Sequence, residues 1–214
     1  METTALDRRM RTLALARECA RLGARARTIA YVTGLSRAEV LRLVFDENEP
    51  SKSGKFPKSV DWLHKCNLFA KVEASAIVAT FRRLRELGML PADALPSAYR
   101  QYRRRFPHES RLDFDRAFDL VCHTDGIWAA AQPSMTLHTC AACSSRYLSS
   151  LGARRLDGRD CPFCKLLRRY YSDPRVRLYL SGSGSARQPG QPALCGEVLD
   201  RQPFGSGALT RAII

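Results

Sequence analysis

The stretch that decides the architecture runs from Cys140-Ala141-Ala142-Cys143 to Cys161-Pro162-Phe163-Cys164, with 17 residues between the two pairs. Two CxxC pairs at this separation can fold back on each other and close a tetrahedral four-thiolate site, whereas a lone CxxC says little. Soft ligands in that number suit zinc, which needs no redox role. A [4Fe–4S] cluster and a redox dithiol are the alternatives that this residue pattern leaves open. A shell filled by four thiolates has no open position for a reacting water, so the expected work of one Zn2+ per chain is structural: it folds a module too small to fold otherwise. His138, two residues ahead of the first pair, is not needed as a ligand.

Between the pairs, Tyr147, Leu148 and Leu151 precede a Gly-rich turn at 152–158, which resembles a zinc ribbon. From Leu137 to Leu180 there are nine Arg and Lys against three Asp and Glu, a net +6. Four thiolates and one divalent ion reduce that to about +4. Arg154 and Arg155 lie in the turn, and Arg168 and Arg169 follow the second pair beside Tyr170 and Tyr171. Such a mixture can lie against phosphates; the other reading is that the charges solvate a small surface.

Upstream, the chain changes character. Residues 7–22, 26–46, 61–85, 93–105 and 111–122 have helical spacing, and no stretch before 133 alternates convincingly with a period of two. Asn48 to Lys55 is polar, with Pro50 and Gly54, and reads as a linker. The tail at 181–214, rich in Gly, Ser and Pro, is expected to be flexible. The expected fold is therefore mainly α: a helical domain over 1–133, a four-cysteine zinc-ribbon-like module over 134–180 and a flexible tail.

Within the first domain, residues 26–43 follow a helix-turn-helix-like pattern. Ile29 and Ala30 face inward, Gly34 supplies the turn, Leu35 plugs it, and Ser36 with Glu39 forms a capping box for the next helix. The second helix of such a unit enters the major groove. Arg37 and Arg42 lie on its outer side, and Arg25 and Arg27 are candidates for phosphate contacts. Many helical hairpins share this spacing and bind nothing. A further basic cluster, Arg100, Arg103, Arg104 and Arg105 with Arg82, Arg83 and Arg85, reads in part as wet helix faces, with Tyr99, Tyr102 and Phe106 as core or interface.

The 214 residues carry 35 Lys and Arg against 21 Asp and Glu, a formal +14, and 29 of those cations are arginine. That excess makes a polyanionic partner the expectation. No run of about 20 apolar residues occurs, which excludes a helical membrane span. Met1 to Arg11 lacks a signal-type apolar stretch, so a cytoplasmic protein is expected. Cys19 and Cys122, in apolar helical patterns, read as core thiols. The four histidines, His64, His108, His123 and His138, form no catalytic motif, and Asp113, Asp115 and Asp119 with Arg111 and Arg116 read as ion pairs on a solvated face, so no enzyme is expected.

Several of these stretches together carry a resemblance. Leu22-Gly23-Ala24-Arg25 leads into Gly34-Leu35-Ser36-Arg37. Phe56-Pro57, Asp61-Trp62, Ala98-Tyr99 and Arg116-Ala117-Phe118 follow, and the four cysteines close the series. In their order and spacing, roughly over 10–180, they resemble the C subunit of the bacterial flagellar master transcription activator, the FlhC family. The resemblance implies a mostly helical protein whose zinc ligands are Cys140, Cys143, Cys161 and Cys164. It implies assembly with a small helical D subunit into a hexamer of four D and two C subunits. That complex binds and bends double-stranded promoter DNA and activates flagellar operons with RNA polymerase. The linker at 48–58 lacks the family's proline run, and the tail after 180 has no counterpart. The rival readings are an RNA-binding or ribosome-associated zinc-ribbon protein, and an assembly subunit whose partner contacts the DNA.

Overall fold

Residues Ala70, Val72, Ala74, Ala76, Ile77, Val78 and Phe81 put small or apolar side chains around most of one helix, and all seven are buried. A helix apolar on most sides is one that its neighbours cover. That helix is the axis of the molecule. A computed structural model describes residues 4–45, 51, 60–106, 111–154, 156 and 160–180. Arg155, His108, Phe56-Pro57 and the 181–214 tail, all used in the sequence reading, lie outside the described residues, as does the linker at 48–58 apart from Ser51.

In chain order the elements are α1 (Ala5–Arg21), α2 (Ala26–Thr33), α3 (Arg37–Val44), α4 (Asp61–Lys65), α5 (Leu68–Glu86), α6 (Pro91–Arg105), α7 (Phe114–Asp125), β1 (Met135–Thr139), β2 (Arg146–Ser150), α8 (Pro162–Ser172) and α9 (Pro174–Leu180). Helix α5 packs against α6, α7, β2 and α8, while α1, α2 and α3 pack on one another. Fully burying a side chain such as Phe81 or Ile77 contributes about 1.5–3 kcal/mol.

The single helix expected over 61–85 is two. Asn67, extended at φ −69° and ψ 169°, caps α5 by accepting the Ala70 amide at 2.9 Å. This side chain satisfies an amide that helix continuation would have paired, so the chain breaks there. Gly88, at φ +87°, follows the end of α5, and Pro91 opens α6 instead of only ending what precedes it. Helix α7 starts later than expected because Asp113 accepts the Arg116 amide at 2.8 Å as its cap.

Of the three acidic residues read as a solvated face, Asp113 is exposed but Asp115 and Asp119 are buried. Asp115 is 1% exposed and Asp119 3%. Asp115 pairs with Arg25 and Asp119 with His123, while Arg111 turns to Glu73 and Arg116 lies over the Trp62 ring. Glu73 is itself buried in α5. It accepts the Tyr102 hydroxyl at 2.6 Å, the Arg111 amide at 3.1 Å and the Arg111 guanidinium at 3.0 Å. Tyr102 in turn accepts the Leu112 amide at 3.1 Å. A buried carboxylate is tolerated when both oxygens are hydrogen-bonded in this way.

Strands β1 and β2 form an antiparallel hairpin with Met135 opposite Ser150, Leu137 opposite Leu148 and Thr139 opposite Arg146. Neighbouring strand residues face opposite sides. Leu148 accordingly joins the helical core with Met135, and Tyr147 joins a second core with Val72, Cys140, Cys161, Phe163, Leu166 and Val176. The Leu148 amide also donates to Ser75 Oγ at 3.0 Å. The cysteine region is thus seated on α5, whose Val72 belongs to its core. Among the described residues no helix is long and apolar enough to cross a membrane.

Candidate metal centre and nucleic-acid interface

The first cysteine pair occupies the loop between β1 and β2, and the second opens α8. Within the loop the Cys140 amide donates to the Ser145 carbonyl at 3.0 Å and the Ser144 amide to the Cys140 carbonyl at 2.9 Å. Ser144 takes the left-handed conformation at φ 59°, a region that non-glycine residues seldom occupy. The amides of Cys143 and Ala142 point at the Cys140 sulfur. At the second pair Cys161 is the N-cap residue and Pro162 the first helical one, and the amides of Cys164 and Phe163 point at the Cys161 sulfur. The ribbon-like reading is corrected here: the second pair starts a helix, where a ribbon would place another hairpin. The physical reason is Pro162, which is pre-set for a first helical turn and is followed by a run with helical spacing. A helix N-terminus also favours thiolate.

The four sulfurs lie within 4.8 Å of one another. Cys140 Sγ is 3.8 Å from Cys164 Sγ, and Cys143 Sγ is 3.9 Å from Cys161 Sγ. A tetrahedral ion with metal–sulfur bonds of about 2.3 Å needs sulfurs about 3.8 Å apart, so the donor set fits a tetrahedral thiolate-bound ion. Burial works against the Cys140 thiolate, yet the amides of Cys143 and Ala142 outweigh it and hold this thiol at about 7. Burial pushes Cys161 and Cys164 up. Four thiolates this close together would need a cation to balance them. No other group of His, Cys, Asp and Glu among the described residues converges in this way, and His138 lies against the Tyr147 ring instead. Cys19 and Cys122 are wholly buried, and burial raises both thiols to about 12, as inert core groups require.

Earlier in the chain, α2 and α3 are joined by a three-residue turn. Gly34 sits at φ 75°. Ser36 accepts the Glu39 amide at 3.2 Å while Glu39 accepts the Ser36 amide at 3.0 Å, the reciprocal cap that the sequence indicates. On α3, Val40 is fully buried, and Arg37, Ala38, Leu41 and Arg42 are exposed along one face. Arg27 is exposed, its guanidinium 5.7 Å from the centre of the Tyr31 ring. Arg25 differs from the expectation. Its Nε lies 3.4 Å from Asp115 Oδ2 and its side chain is 20% exposed, because a buried carboxylate needs a cation more than the surface does.

On the cysteine side, Arg154, Arg168 and Arg169 are exposed, the last two on α8 with Tyr171. The basic cluster of α5 and α6 is partly committed internally: Arg100 meets Glu18 at 2.9 Å, Arg82 meets Asp125 at 2.6 Å, and Arg85 donates to the Met89 carbonyl. Tyr99 and Tyr102 are core residues, as expected.

Residues 1–173 match the flagellar transcriptional activator (FlhC) family. No curated protein matches the chain. The family match spans the α2–α3 pair, the α5 axis and all four cysteines. The chain therefore belongs to the flagellar transcriptional activator (FlhC) family, DNA-binding regulators and not enzymes.

Proposed function

We propose that this activator touches DNA at two places and is held in shape by one structural Zn2+. In this reading α2 and α3 act as a helix-turn-helix unit, with α3 in the major groove. Arg37, at its N-terminal end, meets a base edge, and Arg42 extends the contact. Arg27 takes a phosphate. Arg25 positions α2 through Asp115 and is not a primary contact. On the second surface Arg154, Arg168 and Arg169 neutralise backbone phosphates, and Arg155 extends that set in sequence. The observation that carries this reading is the division of α3, with Val40 wholly buried and Arg37 and Arg42 exposed.

Zinc, held by Cys140, Cys143, Cys161 and Cys164, supplies a closed tetrahedral crosslink. These residues tie the hairpin to α8 and so fix where the basic face of α8 stands. The helical body over 1–133 and the module over 134–180 then work as two modules. One hairpin reader per chain covers a short site, so specificity calls for an assembly. The partner in this reading is the small helical D subunit, four with two copies of this chain, and the assembly bends promoter DNA and engages RNA polymerase. Copurification with that subunit, footprinting on a flagellar promoter and crosslinking of each subunit to DNA test the proposal. Crosslinks from this chain at both surfaces are expected. Crosslinks confined to the partner make this chain an assembly subunit, and preference for structured RNA over duplex DNA at matched salt favours the RNA-binding alternative.

A further inference from the structure

Arg83 of α5, Arg105 of α6 and Arg146 of β2 line one groove. Its floor has a simple origin in sequence. Ala76, Ala79, Thr80 and Arg83 recur at i, i+3, i+4 and i+7, one face of α5. Three small side chains keep that face low between its neighbours, and the fourth is a cation. Gln101 stands one turn before Arg105 on α6, and Phe163 of α8, 8% exposed, forms an apolar wall. The groove has a volume of about 90 Å³ and opens to solvent.

No carboxylate lines it, so its three arginines give a formal +3. Glu86, outside the lining, meets Arg146 at 3.3 Å with 60% of its side chain exposed. Such a wet pair is weak and leaves most of the charge uncompensated. Three arginines that line one concavity from three separate elements make it attractive to an anion. Their planar forks match phosphate oxygens bidentately, and the Thr80 hydroxyl and Gln101 amide add neutral donors.

We infer that this groove is a phosphate-binding site, distinct from the arginines of α3 and α8. The phosphate belongs either to a duplex backbone crossing the junction or to a free phosphorylated small molecule; the oxygens recognised are the same. Because α5 and α6 belong to the helical body and β2 and α8 to the cysteine region, a bound phosphate clamps the two together. The site does not depend on α3 reading DNA.

The test is calorimetric titration of the full chain, in its assembly, with inorganic pyrophosphate at constant ionic strength. The wild type is expected to bind. The double variant Arg83→Gln/Arg105→Gln, and separately Arg146→Gln, are expected to weaken binding at least tenfold, while Arg104→Gln, which removes the same single charge as Arg146→Gln but outside the groove, leaves it unchanged. Competition between promoter duplex and pyrophosphate identifies the duplex backbone as the source, and simultaneous binding identifies a free phosphorylated ligand; both support the site. Failure of duplex binding with pyrophosphate binding intact removes the DNA reading and leaves this one standing. No pyrophosphate binding above a matched chloride control, or equal affinity in the wild type and the groove variants, overturns it.

Discussion

Thr28 of α2 donates its hydroxyl to Asp115 Oδ1 of α7 at 2.5 Å, across 87 positions of sequence. The same oxygen accepts the Arg25 amide at 3.1 Å, and the other oxygen faces the Arg25 guanidinium. One buried carboxylate therefore pins the start of α2 to the helical body. Since α2 carries α3 through the Gly34 turn, Asp115 also sets where the exposed arginines of α3 stand.

Asp115→Ala should cost about 3–5 kcal/mol, because it removes the buried carboxylate that Arg25 and Thr28 share. Asp115→Asn keeps an acceptor for the hydroxyl and the amide and should cost less. Urea denaturation measures both. Equal losses in the two variants would show that hydrogen bonding at this oxygen contributes nothing separable.

Burial raises the Asp115 carboxyl above the ordinary aspartate value of 3.8, against the Thr28 hydroxyl and the Arg25 amide. Burial likewise raises Asp119, against the His123 charge. The native state thus holds these protons more tightly than the unfolded chain does. Stability from these two groups is present below 3.8 and is lost as pH rises from there through the raised native values. Asp119→Asn, which does not titrate, should gain on the wild type as pH rises across that window. Parallel stability profiles for the two proteins would contradict the assignment.

The Glu73 network separates a hydrogen bond from a buried charge. Tyr102→Phe removes one neutral donor and should cost about 0.5–1.5 kcal/mol, or up to about 3 for a bond to a charged group. Glu73→Ala removes the buried carboxylate that Arg111 and Tyr102 share and should cost about 3–5 kcal/mol. Chemical denaturation of each variant checks the ordering, and a Tyr102→Phe loss larger than that of Glu73→Ala would reverse it.

These contacts mark the boundary of what the sequence makes legible. Gly34, Ser36 and Glu39 could be read directly because the cap and turn involve residues within five positions of one another. The cysteine pairs could be read because metal geometry restricts spacing. Asp115 and Glu73 could not, since the partners that make burial tolerable, Arg25, Thr28, Tyr102 and Arg111, lie 29 to 90 positions away. The break at Asn67 had a local signal, an asparagine three residues before the amide it caps, but the apolar spacing continues through it and hid the signal. The helix at the second cysteine pair was announced by Pro162 and masked by the ribbon-like first half.

Cys161 packs with Tyr147, Phe163 and Leu166 as well as facing the other sulfurs. Cys161→Ser should therefore lose the ion and the second core together, and with them solubility. Metal analysis should find one zinc per wild-type chain and none in the variant. A metal-free wild type with full helical signal and a cooperative thermal transition would show that the sulfurs do not need an ion.

Arg37→Ala should relax sequence preference by about 1–3 kcal/mol at one position of the site. Arg168→Ala should weaken all duplexes alike and reduce the salt slope by about one. Binding of a panel of promoter variants at several salt concentrations distinguishes them. Uniform loss by the Arg37 variant, with the ranking of sites kept, would remove α3 from the major groove.

The most direct measurement compares a flagellar promoter duplex with a random duplex of equal length, bound by the purified assembly of this chain and the proposed small helical partner at matched salt. Preference for the promoter by about 10³-fold or more is expected of a sequence-reading activator. Equal affinity for the two duplexes would contradict it.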